Sequence, residues 1–288
     1  MKKITLLFIG VFFAIINAYA NDNFALESLN DNTYSILFDL NEIELEQRGR
    51  YTKIITETKG ETSIIGMPKL PQFSIMVMLD PEKTYSIAYN VTQSYVLNDI
   101  DIIPNQNLLN GLEKEEIKII DKDFYNSNKK YPNENIVMSD PMIMRDMVLS
   151  SISIIPFNYN PDNRELEVYE NIEIQIFETG YTNDPRTRDI AKSRVFENIY
   201  KNNIINYNSS SRDDEYQQPA ILYICPSSII NNSSFQQLIE WRKQRGYVVY
   251  TASLSETGSS ASSIKNYIND AYDNFDPPPE YVSFLGDV

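Results

Sequence analysis

One thiol, no imidazole and 40 carboxylates make up the reactive inventory of this chain. Cys225, the single cysteine, closes the apolar run Ala220-Ile221-Leu222-Tyr223-Ile224-Cys225 and precedes Pro226. A cysteine nucleophile needs a depressed pKa and a positioned base. The chain has no His, and neither Lys nor Arg adjoins Cys225, so this residue reads as a packed core thiol. The same absence excludes a Ser/His or Cys/His dyad and a His-based zinc site within these residues. A single Cys also excludes an internal disulfide framework, so the fold must rest on its apolar core. Pro226-Ser227-Ser228 stands where a dinucleotide fold carries its glycines, but neither G-x-G-x-x-G nor G-x-x-x-x-G-K occurs. Asp287 follows Gly286 at the end of the last strand pattern, where open parallel sheets place working residues; the same Asp serves equally well as the cap of a following helix. Close carboxylate spacings are inevitable with so many acids and support no glycosidase reading. Asn158-Tyr159-Asn160-Pro161-Asp162-Asn163-Arg164-Glu165 offers oxygen ligands of the kind calcium takes, without the EF-hand order of acids and Gly. It reads as a hairpin turn set by Pro161, and no cofactor is expected.

These residues lie in two stretches of different periodicity. Tyr34, Ile36, Phe38 and Leu40 share one face of a period-two pattern, with Ser35, Leu37, Asp39 and Asn41 on the other. Similar runs at residues 54–58, 73–79, 85–91, 100–103, 147–157, 166–169 and 172–177 predict a β-rich, sandwich-like domain over residues 21–180. Gly66-Met67-Pro68-Lys69-Leu70-Pro71 puts two prolines ahead of a strand, an extended and donor-poor stretch that cannot lie in a central ladder. Residues 105–135 are polar and charge-rich and read as a solvated loop or short helix.

Composition shifts to Asn, Ser, Asp and Arg over residues 181–218, a linker with a helix-like piece at 190–200. Arg188, Arg194 and Arg212 are its candidate cleavage points. Helical periodicity then takes over. Phe235, Leu238 and Ile239, with Trp241 nearby, form an apolar stripe that ends at Arg245-Gly246, with Gly just past the cap. After a strand at 247–250, residues Ile264, Tyr267, Ile268, Ala271, Tyr272 and Phe275 mark a second helix, capped within Ser259–Ser263 and ended by Pro277-Pro278-Pro279. With the strand pattern at 281–288, the β-α-β-α-β order predicts parallel strands, so residues 219–288 read as the start of an α/β domain cut off partway. A three-stranded parallel sheet with one face half covered is expected to be poorly stable as an isolated piece. The fold class is therefore α+β overall.

The formal charge is −15, and no basic block occurs beyond the first few residues, which argues against nucleic acid as a partner. Residues 1–20 read as a secretory signal: Lys2 and Lys3, an apolar region from Ile4 to Ile16, then Ala18-Tyr19-Ala20 as a small-x-small cleavage site after Ala20. No second segment is long and apolar enough to span a bilayer, so export to the cell surface or beyond is expected. Loss of two Lys would take the charge to −17, with 23 basic against 40 acidic residues.

The text Leu222-Tyr223-Ile224-Cys225-Pro226-Ser227-Ser228, Leu238-Ile239-Glu240-Trp241-Arg242-Lys243-Gln244-Arg245-Gly246-Tyr247, Ile264-Lys265-Asn266-Tyr267-Ile268 and Pro279-Glu280-Tyr281-Val282-Ser283-Phe284-Leu285-Gly286-Asp287 resembles the start of the catalytic domain of gingipain-type cysteine peptidases. Upstream, Gly66-Met67-Pro68-Lys69-Leu70-Pro71, Pro156-Phe157-Asn158-Tyr159-Asn160-Pro161 and Glu165-Leu166-Glu167-Val168-Tyr169 resemble their β-rich propeptide. The resemblance implies a secreted precursor with a signal, a sandwich prodomain and a caspase-like α/β domain that hydrolyses peptide bonds with a Cys nucleophile and a His base. Its members are typically exported by Bacteroidetes-type bacteria, often with a further C-terminal sorting domain. It also implies that the prodomain packs against its own catalytic domain and that protein or peptide substrates are taken by the full-length form. The family's catalytic His and Cys lie beyond Val288, and Cys225 does not occupy the nucleophile's place, so no catalytic residue carries over. The rival reading is an exported β-sandwich adhesin or binding protein without catalysis.

Overall fold

The structure, a computed structural model, describes residues 23–30, 33–106, 119–183, 191–208 and 215–286. Internal contacts divide the chain into two units, with changes of unit at Arg188/Asp189, Lys201/Asn202 and Tyr207/Asn208.

The first unit is built from β1 (Phe24–Asn30), β2 (Thr33–Asp39), β3 (Glu44–Arg48), β4 (Tyr51–Ile55), β5 (Phe73–Leu79), β6 (Lys83–Leu97), the short helix α1 (Lys122–Tyr125), β7 (Ile136–Met138), β8 (Met142–Met144), β9 (Met147–Ile154), β10 (Phe157–Asn160) and β11 (Glu165–Tyr181). One antiparallel sheet runs β1-β2-β11-β10 with β6 also on β11, and a second runs β5-β9-β7 with β8 also on β9. β3 and β4 form a separate two-stranded ribbon. Alternation explains how the sheets bury one face each: Ile36 and Phe38 of β2, Ile172, Ile174 and Ile176 of β11, Phe73, Ile75 and Val77 of β5, and Ile152 and Ile154 of β9 all enter one core. The Phe38 and Phe73 rings meet edge-on across the two sheets, with centroids 5.1 Å apart.

Departures from the expected strands have local causes. The runs at 166–169 and 172–177 are one strand, because paired irregularities near Asn171 insert one residue on each side of the β6–β11 ladder and cancel. The run at 147–157 is two strands, since Pro156 offers no N–H. Asn135 mends the break, its side-chain amide donating to the carbonyls of Ile155 and Phe157 at 2.8 Å each. Residues 100–103 form no strand; Ile102 and Pro104 make single bridges to Thr52 and Pro68. Strand β3, Glu-Leu-Glu-Gln-Arg, has no buried residue and so no alternation to read.

The two-proline segment is docked rather than free. Pro68 and Pro71 make isolated bridges to Pro104 and Glu61, and Leu70 is fully buried. Gly66, at φ +82°, lies so close to the next segment that a Cβ there would stand 2.9 Å from the Asp121 amide nitrogen. The solvated reading of 105–135 is corrected at its ends: Asn105, Phe124, Tyr131 and Asn135 are buried, whereas its most charged part lies outside the described residues.

The second unit contains most of α2 (Arg194–Asn203), then β12 (Ala220–Cys225), α3 (Ser227–Ile230), α4 (Ser233–Gln244), β13 (Val248–Ser253), α5 (Leu254–Thr257), α6 (Ala261–Asn274) and β14 (Tyr281–Phe284). The three strands are parallel in the order β13-β12-β14. Helix starts follow side-chain caps: Asn232 accepts from the amides of Ser234 and Phe235, and Ser260 from that of Ser263. Every residue of β12 is buried. Ile221, Tyr223 and Cys225 pack against Phe235 and Ile239 of α4, while Leu222 and Ile224 pack with Ala252 and with Ala271 of α6. Each face of β12 thus carries a helix, whereas β14 has no buried residue and exposes Tyr281, Val282 and Phe284.

Candidate functional site

Strand β12 ends at Cys225 and β13 at Ser253, which are register partners. This carboxyl edge is where a parallel sheet places its working groups. The Cys225 side chain is 1% exposed and lies in the cluster with α4. Burial, with a smaller contribution from the Glu256 charge, pushes its thiol pKa up. A protonated, enclosed thiol is not a nucleophile.

The groups at that edge are hydroxyls and one carboxylate. Ser227 Oγ and Ser255 Oγ are 3.2 Å apart, Ser253 Oγ and Ser255 Oγ 2.7 Å, and Ser253 Oγ donates to Glu256 Oε2 at 2.6 Å. The Ser253 amide donates to the same oxygen at 2.7 Å. Those two hydrogen bonds hold the Glu256 carboxyl below the usual range, which makes it a poor base. Ser253 and Glu256 are the N-cap and third residue of α5, so the pair is a capping box rather than a catalytic dyad. The Ser-x-x-Glu spacing carries that signal in the sequence. Asp287 lies outside the described residues. No group of three or more His, Cys, Asp or Glu suited to a metal ion occurs among the described residues. The loop from Asn158 to Glu165 is a hairpin turn, with Asn160 Oδ1 accepting from the Asp162 amide at 3.0 Å and Asn160 paired to Glu165 across it.

The segment between the two fold types is a second candidate. Arg194 opens α2, an exposed residue whose guanidinium lies 5.0 Å from the centre of the Tyr216 ring. Ala20, Arg188 and Arg212 lie outside the described residues. Tyr216 was not singled out by any pattern; its hydroxyl donates to Glu197 Oε2 at 2.6 Å, and Gln217 N–H donates to Lys192 O at 2.9 Å. On the other side of α2, Ile204 forms a parallel bridge with Met76 of β5, and Ile205 N–H donates to Met76 O at 3.0 Å. The Asn206 amide completes the contact: Met78 N–H donates to Asn206 Oδ1 at 2.7 Å, and Asn206 Nδ2 donates to Met78 O at 2.8 Å. Ile204 to Asn206 therefore act as an added edge strand of the sandwich.

Comparison with known proteins places the change of family at residues 213/214, so residues 189–201, which group with the α/β unit, fall within the propeptide match. Residues 22–213 match the family Propeptide_C25, and residues 214–288 match Peptidase family C25. Gingipain R2 of Porphyromonas gingivalis is 24% identical over 244 residues, covering 82% of this chain and 33% of that protein. Gingipain R1 of the same organism is 21% identical over 271 residues, covering 91% of this chain and 27% of that protein. The chain therefore spans about a third or less of the length of these relatives. A solved complex of Porphyromonas gingivalis RgpB pro- and mature domains shares the fold, with a TM-score of 0.55 at 22% identity over 66% of this chain and 100% of that one. With two-thirds of its length matched by the propeptide family, the chain belongs to Propeptide_C25: a gingipain-type propeptide followed by the start of a C25 peptidase domain.

Proposed function

We propose that this chain is the N-terminal part of a secreted, gingipain-like cysteine endopeptidase precursor, inactive by itself. The observation that carries the reading is the joining of a propeptide sandwich to an α/β unit whose only thiol is buried, in a chain without His. The catalytic Cys and His then belong to the sequence after Val288, where peptide bonds of protein substrates are cut. Residues 1–20 direct export and are removed after Ala20. The domains run from 21 to 180 and from 219 to 288, joined by 181–218, and the prodomain packs on its own catalytic domain.

Of the three cleavage candidates, Arg212 is favoured. Arg194 sits in a helix, whereas proteases bind extended chain, and a cut at Arg188 or Arg194 would strip the sandwich of Ile204–Asn206. Arg212 lies one residue before the end of the propeptide match. Expression from the full gene followed by N-terminal sequencing of the mature enzyme tests this, with Asp213 the expected first residue. A mature start upstream of Tyr181, or a stop codon directly after Val288, would overturn it.

A further inference from the structure

We propose that the end of α4 is a binding site for a sulfated polysaccharide, formed by Arg242, Lys243 and Arg245 around the Trp241 ring. The site lies at the end of the parallel sheet away from the carboxyl edge described above, because β13 begins directly after it.

Between Pro226 and Ser255 the charged residues are Glu240, Arg242, Lys243 and Arg245 alone, so this stretch is cationic within a chain of formal charge −15. Three cations are too few to stand out as a basic block in composition, and it is the fold that gathers them. The Arg242 guanidinium carbon lies 5.0 Å from the centre of the Trp241 ring and 5.6 Å from that of Tyr247, and the Arg245 carbon lies 5.1 Å from the Trp241 centre. Stacking of this kind fixes the planes of both guanidinium groups before any ligand arrives. The surface stays open: Trp241 is 45% exposed, and Lys243 and Arg245 are exposed.

Cations at a helix end commonly serve its unpaired carbonyls. Here the backbone does that work. Tyr247 N–H donates to Arg242 O at 3.2 Å, Gly246 N–H to Lys243 O at 2.9 Å and Arg245 N–H to Trp241 O at 3.2 Å, with Gly246 at φ +89°. The side chains are not consumed by the cap. Of the three cations, only Lys243 has an ion pair among the described residues, with Glu240 at 3.1 Å, and both partners are open to water, where such a pair contributes little. Arg242 Nε is buried and has no hydrogen-bond partner.

Two stacked forks and an ammonium on one turn of helix fit closely spaced oxyanions. A sulfate ester presents three terminal oxygens to the donors, whereas a phosphodiester or a carboxylate presents two. Repeated sulfates on a saccharide therefore satisfy more of the guanidinium donors than a nucleic acid or an acidic peptide of equal charge. The surplus of acids elsewhere on the chain limits contact to this one patch and makes binding sensitive to salt.

The test titrates the full chain with heparin and follows two readouts: retention on immobilised heparin and the emission of Trp241, the single tryptophan. Binding should be saturable, weaken as salt rises and be absent with uncharged dextran. In Arg245→Ala the dissociation constant should rise about tenfold or more, because a charge-assisted contact is lost. Arg245→Lys, which keeps the charge and loses the fork, should give a smaller rise, and Lys243→Gln should also weaken binding. Unchanged melting curves show that each variant folds. Absence of saturable heparin binding, equal dissociation constants for the parent and Arg245→Ala, or equal affinity for double-stranded DNA or polyglutamate would overturn the proposal. Neither readout needs cleavage or catalysis, so the outcome is independent of the precursor reading.

Discussion

Truncating Ile204 to Ala tests whether a residue far beyond the last long strand belongs to the sandwich. Ile204 is 3% exposed and lies beside Met76, in a segment that binds β5 through the Ile205 amide and both ends of the Asn206 amide. Loss of three buried carbons costs about 2–5 kcal/mol, because the side chains around the site relax only in part. In a unit of this size each kcal/mol moves the melting midpoint by about 2–4 °C, so a cost of about 3 kcal/mol lowers it by about 6–12 °C. The single tryptophan, Trp241, lies in helix α4 and reports on the α/β unit alone, while calorimetry and far-ultraviolet dichroism follow both units, so a transition seen by them without a tryptophan change belongs to the sandwich. Ile204→Ala should lower the sandwich transition. A variant that lowers only the tryptophan transition, or neither, would refute the assignment. Asn206→Ala should act in the same direction but more weakly, by about 1–3 kcal/mol, since it removes two hydrogen bonds and little apolar contact.

Three further expectations follow from single residues. Gly66→Ala should destabilise the sandwich by about 2 kcal/mol or more in urea unfolding, because its positive φ and the nearby Asp121 amide leave no room for a methyl group; an unchanged midpoint would show that this turn is slack. Cys225 should resist iodoacetamide in the folded chain at neutral pH and react on denaturation, since burial both hides the thiol and raises its pKa; rapid alkylation without unfolding would contradict the buried placement. Glu256, held below the usual carboxylate range, should support the start of α5 at neutral pH and lose that role as pH falls through its lowered value; a carboxyl resonance titrating at or above the ordinary glutamate value would refute the capping box.

Much of the fold could be read directly from the residues. Phe73–Leu79 and Ala220–Cys225 coincide with their strands, because each is an apolar segment bounded by turn chemistry. Helices α4 and α6 showed both their stripes and their caps. The family resemblance was legible because residues from both units carried it, in the right order. The burial of Cys225 followed from the absence of any partner that would make it useful exposed.

What escaped was held together by contacts between distant residues rather than by periodicity. β3 is charged and solvated on both faces, and a ribbon strand needs no buried side to pair with its neighbour. Residues 181–218 have the composition of a tether, yet Ile204, Ile205 and Asn206 close the edge of β5 more than a hundred positions earlier in the chain, and Glu197 takes the hydroxyl of Tyr216. An amide that bonds to a strand edge and one that faces water have the same sequence. The sequence alone determined the two fold classes, their order and the lack of a His-based centre, since these follow from local patterning and composition. Only the tertiary structure decided to which unit each piece of the connecting segment belongs, because that depends on which distant backbone groups were left unpaired.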